Sequence, residues 1–145
     1  MPAARERALK LYVVLTRASN ALNARLLAEA DLEDLTLTEF GILEALYHKG
    51  PLLLGDLQKK ILLSSGGVTY TVDRLAERGL VERRECTTDR RARYAALTAK
   101  GEATIARIFP AHAGLIETMM SALSSAEQEK VTALLRKLGL TAAGK

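Results

Sequence analysis

Residues 64–78 have the sequence SSGGVTYTVDRLAER, and residues 80–97 continue with LVERRECTTDRRARYAAL. In the first stretch the apolar residues Val68, Val72 and Leu75 are spaced four and three apart, which predicts a helix with one buried face. In the second stretch two short runs flank a polar turn, which predicts a β-hairpin. A helix followed directly by a basic hairpin is the arrangement that decides the fold of this chain.

Two more helices are predicted immediately before this stretch. Thr36 and Glu39 form a capping box at the start of a helix that ends at Gly50. Residues 54–61 form a short helix after it. Residues 36–100 are therefore predicted to form a winged helix-turn-helix DNA-binding lobe, in which the third helix is the recognition helix.

Long apolar helices are predicted on both sides of this lobe. One covers residues 5–30, and residues 104–140 hold two more. Of these two, the first runs to about Leu123 with a kink at Pro110, and the second ends at Gly139. An apolar stripe without a partner in its own chain is covered most simply by a second copy, so these are predicted dimerisation helices. The fold class is mostly α with a small β-wing, in a single domain of 145 residues.

The distribution of charge indicates double-stranded DNA as a partner. The net charge is only +4, but five arginines and no lysine lie between residues 83 and 93. Forked guanidinium groups favour contacts to phosphates and base edges. The candidate DNA-binding residues are Ser64, Ser65, Gly66, Thr69, Tyr70, Arg74, Arg84, Asp89, Arg90 and Arg91. The alternative is a plain surface helix beside a solvated hairpin with a few ion pairs.

Other function classes find little support in the sequence. The phosphate-binding, dinucleotide-binding, metalloprotease and nucleophile-elbow motifs are missing, so we expect neither an enzyme nor a cofactor. One cysteine and two distant histidines give no metal-ligand spacing. No apolar run approaches the length of a membrane span, and the N-terminus lacks the pattern of a signal peptide. We therefore expect a cytoplasmic protein.

Several short motifs together resemble one family. Leu75-Ala-Glu-Arg-Gly-Leu-Val81, Asp89-Arg-Arg91 and Leu97-Thr-Ala-Lys-Gly101 are similar to the winged-helix signature of the MarR family of bacterial transcriptional regulators. The Leu35-Thr-Leu-Thr-Glu-Phe40 start of the second helix resembles that family too. The resemblance implies an obligate homodimer with two DNA-binding lobes and a pocket between lobe and dimerisation helices.

The resemblance also implies roles for individual residues. Asp89 and Arg91 would be the wing pair, with Arg74 as their partner on the recognition helix. This chain has Gly66-Gly67 and Tyr70 where many members have Ser or Thr and a basic residue. The resemblance therefore does not give the preferred bases.

Two stretches, residues 46–51 (LYHKGP) and 84–86 (REC), resemble the branch of the family that responds to quinones and phenols. Cys86 lies near several arginines, which would lower the pKa of its thiol and make it a possible redox residue. The alternative is an inert cysteine at a strand end. The candidate ligand-binding residues, which would otherwise be core residues, are Tyr12, Phe40, Tyr47 and His112.

The sequence thus predicts a DNA-binding transcriptional regulator. We expect a homodimeric repressor that a small phenolic or aromatic ligand, or an oxidant, releases from a pseudo-palindromic operator. The alternative function is that of a ligand-independent architectural DNA-binding dimer.

Overall fold

The structure is a computed structural model that describes residues 1–61, 65–85, 88–89 and 92–144. Helices dominate, and a small antiparallel sheet accompanies them, so the predicted fold class is confirmed. The helices are α1 (Ala3–Glu29), α2 (Leu37–Lys49), α3 (Leu54–Ile61), α4 (Ser65–Glu77), α5 (Ala99–Met120) and α6 (Ser125–Ala142). The strands are β1 (Leu52–Leu53), β2 (Val81–Glu85) and β3 (Arg93–Leu97).

The chain divides into two compact units. One unit comprises residues 1–28 and 112–145, and the other comprises residues 29–111. The lobe predicted over residues 36–100 lies within the second unit.

The core of the second unit is built from the apolar stripes of its helices. Val68, Val72 and Leu75 of α4 are buried, as their spacing predicts. Phe40 and Leu43 of α2 are buried in the same cluster. Because these side chains face inward, the opposite face of α4 is presented to solvent.

The sheet has the order β1-β3-β2, and both pairings are antiparallel. The β2–β3 pairing runs from Val81 opposite Leu97 to Glu85 opposite Arg93, which is the predicted hairpin. The sequence did not predict β1, in which Leu52 pairs with Ala95. A strand of two residues is too short to show alternation, and it forms because β3 offers a free edge.

The capping box predicted at the start of α2 is present, and a second one starts α6. Glu39 accepts a hydrogen bond from the Thr36 backbone N–H at 2.9 Å, and the Thr36 hydroxyl accepts one from the Glu39 N–H at 3.0 Å. Ser124 and Glu127 form the same arrangement at the start of α6. Two predicted boundaries are wrong, because α5 ends at Met120 and α6 continues through Gly139 to Ala142. A single glycine costs a helix only about 1 kcal/mol, so it does not have to end one.

The start of α5 is fixed against the turn that follows α4. The Thr98 hydroxyl donates to the Gly79 carbonyl at 2.6 Å and accepts from the Gly101 N–H at 3.0 Å. A Cβ atom at Gly101 would overlap the carbonyl oxygen of Leu80. Only glycine allows this approach, which sets the position of α5 relative to α4 and the wing.

The other unit presents many large apolar side chains to solvent. On α1 the exposed ones are Leu9, Leu11, Tyr12, Val13, Val14 and Leu27. On α6 they are Val131, Leu134, Leu135, Leu138 and Leu140. No helix in the described part of the chain is long and apolar enough to cross a membrane.

Candidate nucleic-acid interface

The outward face of α4 carries the polar groups predicted to contact DNA. Thr69, Tyr70, Asp73 and Arg74 are exposed, and 61% of Tyr70 is accessible to solvent. The first turn of α4 includes Ser65 and Gly66, so these candidates lie at the helix N-terminus. A helix N-terminus favours anions such as phosphates, because its backbone N–H groups point outward.

Tyr70 and Arg74 contact each other along this face. The Arg74 Nη1 atom donates to the Tyr70 hydroxyl at 3.3 Å, and the guanidinium carbon lies 5.8 Å from the ring centroid. This hydrogen bond raises the pKa of Arg74 above its ordinary value. The pair therefore presents a stable cation and a flat aromatic ring side by side. The partnership of Arg74 with Asp89, implied by the family resemblance, stays a prediction.

Arg83 joins the wing to α4. Its Nη2 atom lies 2.6 Å from the Asp73 carboxylate and 3.5 Å from the Thr69 carbonyl oxygen. Thr69 and Asp73 lie on the outward face of α4, whereas Arg83 lies on β2. This contact therefore holds the hairpin next to the helix face that carries the candidate base-contacting residues.

The other described arginines of the wing also pair with carboxylates. Arg84 contacts Glu82 at 2.6 Å, and Arg93 contacts Glu85 at 2.9 Å. These pairs are largely exposed, and exposed pairs contribute only about 0–1 kcal/mol to stability. Such arginines can exchange a carboxylate for a phosphate at little cost. Asp89 is exposed between them, whereas Ser64, Cys86, Arg90 and Arg91 lie outside the described residues.

Comparison with known proteins identifies the family of this chain. A sequence model of the MarR family matches residues 33–92. The chain is 43% identical over 137 residues to the HTH-type transcriptional regulator MhqR of Bacillus subtilis, and the match covers 94% of each protein. The chain belongs to the MarR family. Its relatives are transcriptional regulators and not enzymes, so the expectation about enzymatic activity is confirmed.

Solved structures of MarR proteins have the same fold. Bordetella bronchiseptica BpsR, whose DNA binding is regulated by 6-hydroxynicotinic acid, superimposes with a TM-score of 0.80 at 26% identity. That match covers 90% of this chain and 98% of BpsR. A mutant of Escherichia coli MarR, solved with operator DNA, gives a TM-score of 0.71 at 23% identity over 90% and 91% of the two chains. With the sequence matches, this fold makes the chain a DNA-binding transcriptional regulator of the MarR type.

The four candidate ligand residues of this MarR protein lie in different environments. Phe40 is buried in the core and Tyr47 is exposed, both within residues 29–111. Tyr12 is exposed on α1 and His112 is buried on α5, both within the other unit. The ring of Tyr47 lies 5.3 Å from that of His48 and 6.3 Å from that of Phe109. Among the residues that the structure describes, no cluster of His, Cys, Asp or Glu could hold a metal ion.

Sequence reasoning missed the role of Asp73. The period of α4 correctly places it on the exposed face, but nothing in the pattern pairs it with Arg83, ten residues later on a strand. The alternation of charge along the wing, Glu82-Arg-Arg-Glu85, could have indicated the ion pairs within the hairpin. The helix-to-wing contact had no such local signal.

Proposed function

We propose that this protein is a homodimeric repressor that binds a pseudo-palindromic operator and leaves it when a small phenolic or aromatic ligand, or an oxidant, acts on it. The observation that carries the proposal is the outward face of α4, with Thr69, Tyr70 and Arg74, next to a wing held by Asp73 and Arg83. A regulator that binds chromosomal DNA acts in the cytoplasm.

The DNA contacts divide into two kinds in this proposal. Ser65, Thr69 and Tyr70 face base edges in the major groove, because the first half of a recognition helix enters it. Arg90 and Arg91, which the sequence predicts at the tip of the wing, reach a flanking minor groove in this proposal, where inserted arginine is favoured. Arg84 and the helix N-terminus contact phosphates, which supply most of the salt-dependent affinity.

The apolar residues of α1 and α6 support the dimer. Monomeric proteins rarely expose large contiguous apolar patches, and a two-fold contact covers the same patch on both copies. In this proposal residues 5–30 and 104–140 form the dimer contact, and residues 36–100 form the DNA-binding lobe. Sedimentation at micromolar concentration tests this point, and a single species of 15.7 kDa would reject it.

A small aromatic effector is the part of the proposal that rests most on relatives. BpsR, a structural neighbour, has its DNA binding regulated by 6-hydroxynicotinic acid, an aromatic compound. Tyr47 and Phe109 provide aromatic surface in this chain. An oxidant would act through Cys86, the one cysteine. On oxidation, we then expect the wild-type protein to release its DNA and the Cys86→Ser variant to stay bound. Equal behaviour of the two proteins indicates an inert cysteine.

Selection of bound DNA from a random pool tests the DNA-binding part first. We expect one inverted-repeat motif to be enriched. Titration of that site with a panel of phenols then tests the effector. Release by at least one phenol supports a ligand-controlled repressor, whereas sequence-tolerant binding that no ligand changes favours the alternative, an architectural DNA-binding dimer.

A further inference from the structure

Glu39 is a buried carboxylate whose two oxygens have different surroundings. Only 4% of the residue is accessible to solvent. The Oε1 atom accepts the hydrogen bond from the Thr36 backbone N–H in the capping box. The Oε2 atom is also buried, and it accepts no hydrogen bond from any residue that the structure describes. A buried acceptor without a donor is costly, so this oxygen needs an explanation beyond the helix start.

The second capping box shows that a helix start does not require a buried charge. Glu127 accepts from the Ser124 N–H at 2.8 Å, but Glu127 is exposed, so water can reach its other oxygen. Glutamine serves as well as glutamate at this position of a capping box, because only an oxygen acceptor is needed. The capping box therefore explains the Oε1 atom of Glu39, and it explains neither the charge nor the Oε2 atom.

The charge of Glu39 acts on Arg74 of the recognition helix. The buried faces of α2 and α4 meet in one core cluster, which brings the start of α2 to the side of α4. The pKa of Arg74 is raised first by the hydrogen bond and charge of Tyr70, then by the charge of Glu39, and least by Glu77. Glu77 is only three residues from Arg74 on the same helix. The larger effect of Glu39 reflects a carboxylate that lies near the guanidinium and is poorly screened by water.

Arg74 has hydrogen-bond donors available for two further partners. Within the described residues, its one hydrogen bond is the long contact of 3.3 Å to the Tyr70 hydroxyl. A guanidinium has five N–H donors, and two of them can bind O6 and N7 of one guanine. This forked contact requires a fixed guanidinium plane, whereas a phosphate accepts a cation in many orientations. A carboxylate beside Arg74 can fix that plane through one of the remaining donors.

We propose that Glu39 positions Arg74 for a forked contact with a guanine in the major groove. In the DNA complex, Oε2 of Glu39 accepts from one N–H of Arg74, and two other N–H groups face O6 and N7. Glu39 does not touch DNA, so it is a positioning residue that determines specificity through Arg74. Each half-site then contains one G·C base pair that Arg74 contacts. This inference rests on the proposed placement of α4 in the major groove.

The base preference of the full-length protein tests the guanine contact. Fluorescence anisotropy compares the operator selected from the random pool with operators in which each base pair is replaced in turn. For wild type, we expect one G·C pair per half-site whose replacement weakens binding at least about fivefold through loss of the Arg74 contact. Arg74→Lys keeps the charge and loses the fork, so it should lose this preference and keep the preferences at other positions.

The Glu39→Gln variant tests the positioning role, because the amide oxygen can still accept from the Thr36 N–H while the charge is lost. We expect the preference for that G·C pair to fall about threefold or more, as for residues in one hydrogen-bond network, with other positions unchanged. In the Arg74→Lys background the same change should have no further effect on base preference. Glu127→Gln, at the same position of the other capping box, is the matched control and should keep the wild-type profile.

NMR of the wild-type complex with DNA is a second measurement, and it does not depend on the folding of a variant. The side-chain N–H groups of Arg74 should exchange slowly with water, because both the guanine and Glu39 hold them. Rapid exchange of these protons overturns the inference.

The outcomes separate this inference from the proposed function. A guanine preference that persists in Arg74→Lys or in Glu39→Gln overturns the role of Glu39 and leaves a sequence-specific regulator intact. Glu39→Gln that weakens binding equally at every operator indicates a merely structural role and also overturns it. A wild-type protein without any base preference overturns the placement of α4 in the major groove, and the inference with it.

Discussion

The outward faces of α4 and α6 are both exposed, but their chemistry is opposite. On α4, residues 65–77, the exposed side chains are polar or charged, with Tyr70 and Arg74 in contact. On α6, residues 125–142, the exposed side chains include Leu134, Leu135 and Leu138. A polar face with an arginine suits a hydrated polyanion, whereas a leucine face gains by leaving water. Exposure alone therefore does not identify a binding surface, and the side chains indicate which partner each surface accepts.

The largest expected effect tests whether the two faces act together. If α6 helps to form a two-fold dimer, the two copies of α4 lie about 34–36 Å apart, or about 10–10.5 base pairs. Inserting about five base pairs at the operator centre then turns one half-site to the far side of the duplex. We expect binding to fall to the non-specific level, a loss of roughly 4 kcal/mol or more.

Gel-shift titration of the selected operator with and without the insertion makes this measurement. Insertion of a full turn, about ten base pairs, is the control, because it returns both half-sites to one face of the duplex. Half-sites that run in the same direction, or binding that tolerates the half-turn insertion, would reject the two-fold arrangement.

The next prediction tests whether the leucine face of α6 holds two copies of the chain together. Leu138→Asp places a carboxylate on the leucine face, so association of two copies should weaken by about 2–4 kcal/mol. Sedimentation velocity over a range of concentrations measures the change. Thr132→Asp, on the polar side of the same helix, is the control and should leave the dimer intact. Equal weakening by both variants would show that α6 does not use its leucine face.

A smaller effect is expected on the affinity for DNA. Arg91→Ala removes the arginine predicted at the wing tip, and loss of a groove-inserted arginine costs about 1–3 kcal/mol of DNA affinity. Arg136→Ala removes the same charge from α6 and should change the affinity much less. Fluorescence anisotropy with the selected operator compares the two. Equal losses would mean that general charge attraction, and not the wing, dominates binding.

The smallest effect concerns the pH dependence of folding stability. Each of the two compact units has one carboxyl group whose pKa is lowered in the folded state. A hydrogen bond from Arg107, at 2.8 Å, lowers the pKa of Glu33, and the backbone N–H of Ser124, also at 2.8 Å, lowers that of Glu127. A lowered pKa in the folded state means that the stabilisation is present above the unfolded value of 4.5. It is lost as the pH falls through the folded pKa.

We therefore expect Glu33→Gln and Glu127→Gln to be less stable than wild type near neutral pH, and the difference to vanish in acid. High salt should reduce the Glu33 effect more than the Glu127 effect, because only Glu33 has a cationic partner. Thermal unfolding at several pH values and two salt concentrations measures both. A salt response of the same size in both variants would contradict this assignment.

The exposed face of α4 could be predicted because helix period is a local property. Val68 and Val72 are buried, and Thr69 and Tyr70 are exposed, as their spacing predicts. The contact of Arg83 with Asp73 could not be predicted in this way. It depends on the angle between a helix and a strand, which the turn at residues 78–80 and the close packing of Gly101 set.

The sequence by itself determined the helices, the β2–β3 hairpin and the chemistry that each exposed surface offers to a partner. Helix caps such as Thr36 with Glu39 join residues only three apart, so local sequence was sufficient to predict them. The tertiary structure decided the pairing of β1 with β3, the Asp73–Arg83 contact and the approach of Glu39 to Arg74. Each of these joins groups ten to about forty residues apart, whose approach depends on how the whole lobe packs. Hydrophobic periodicity contains no information about such distances, because it reports which face is buried and not what lies opposite.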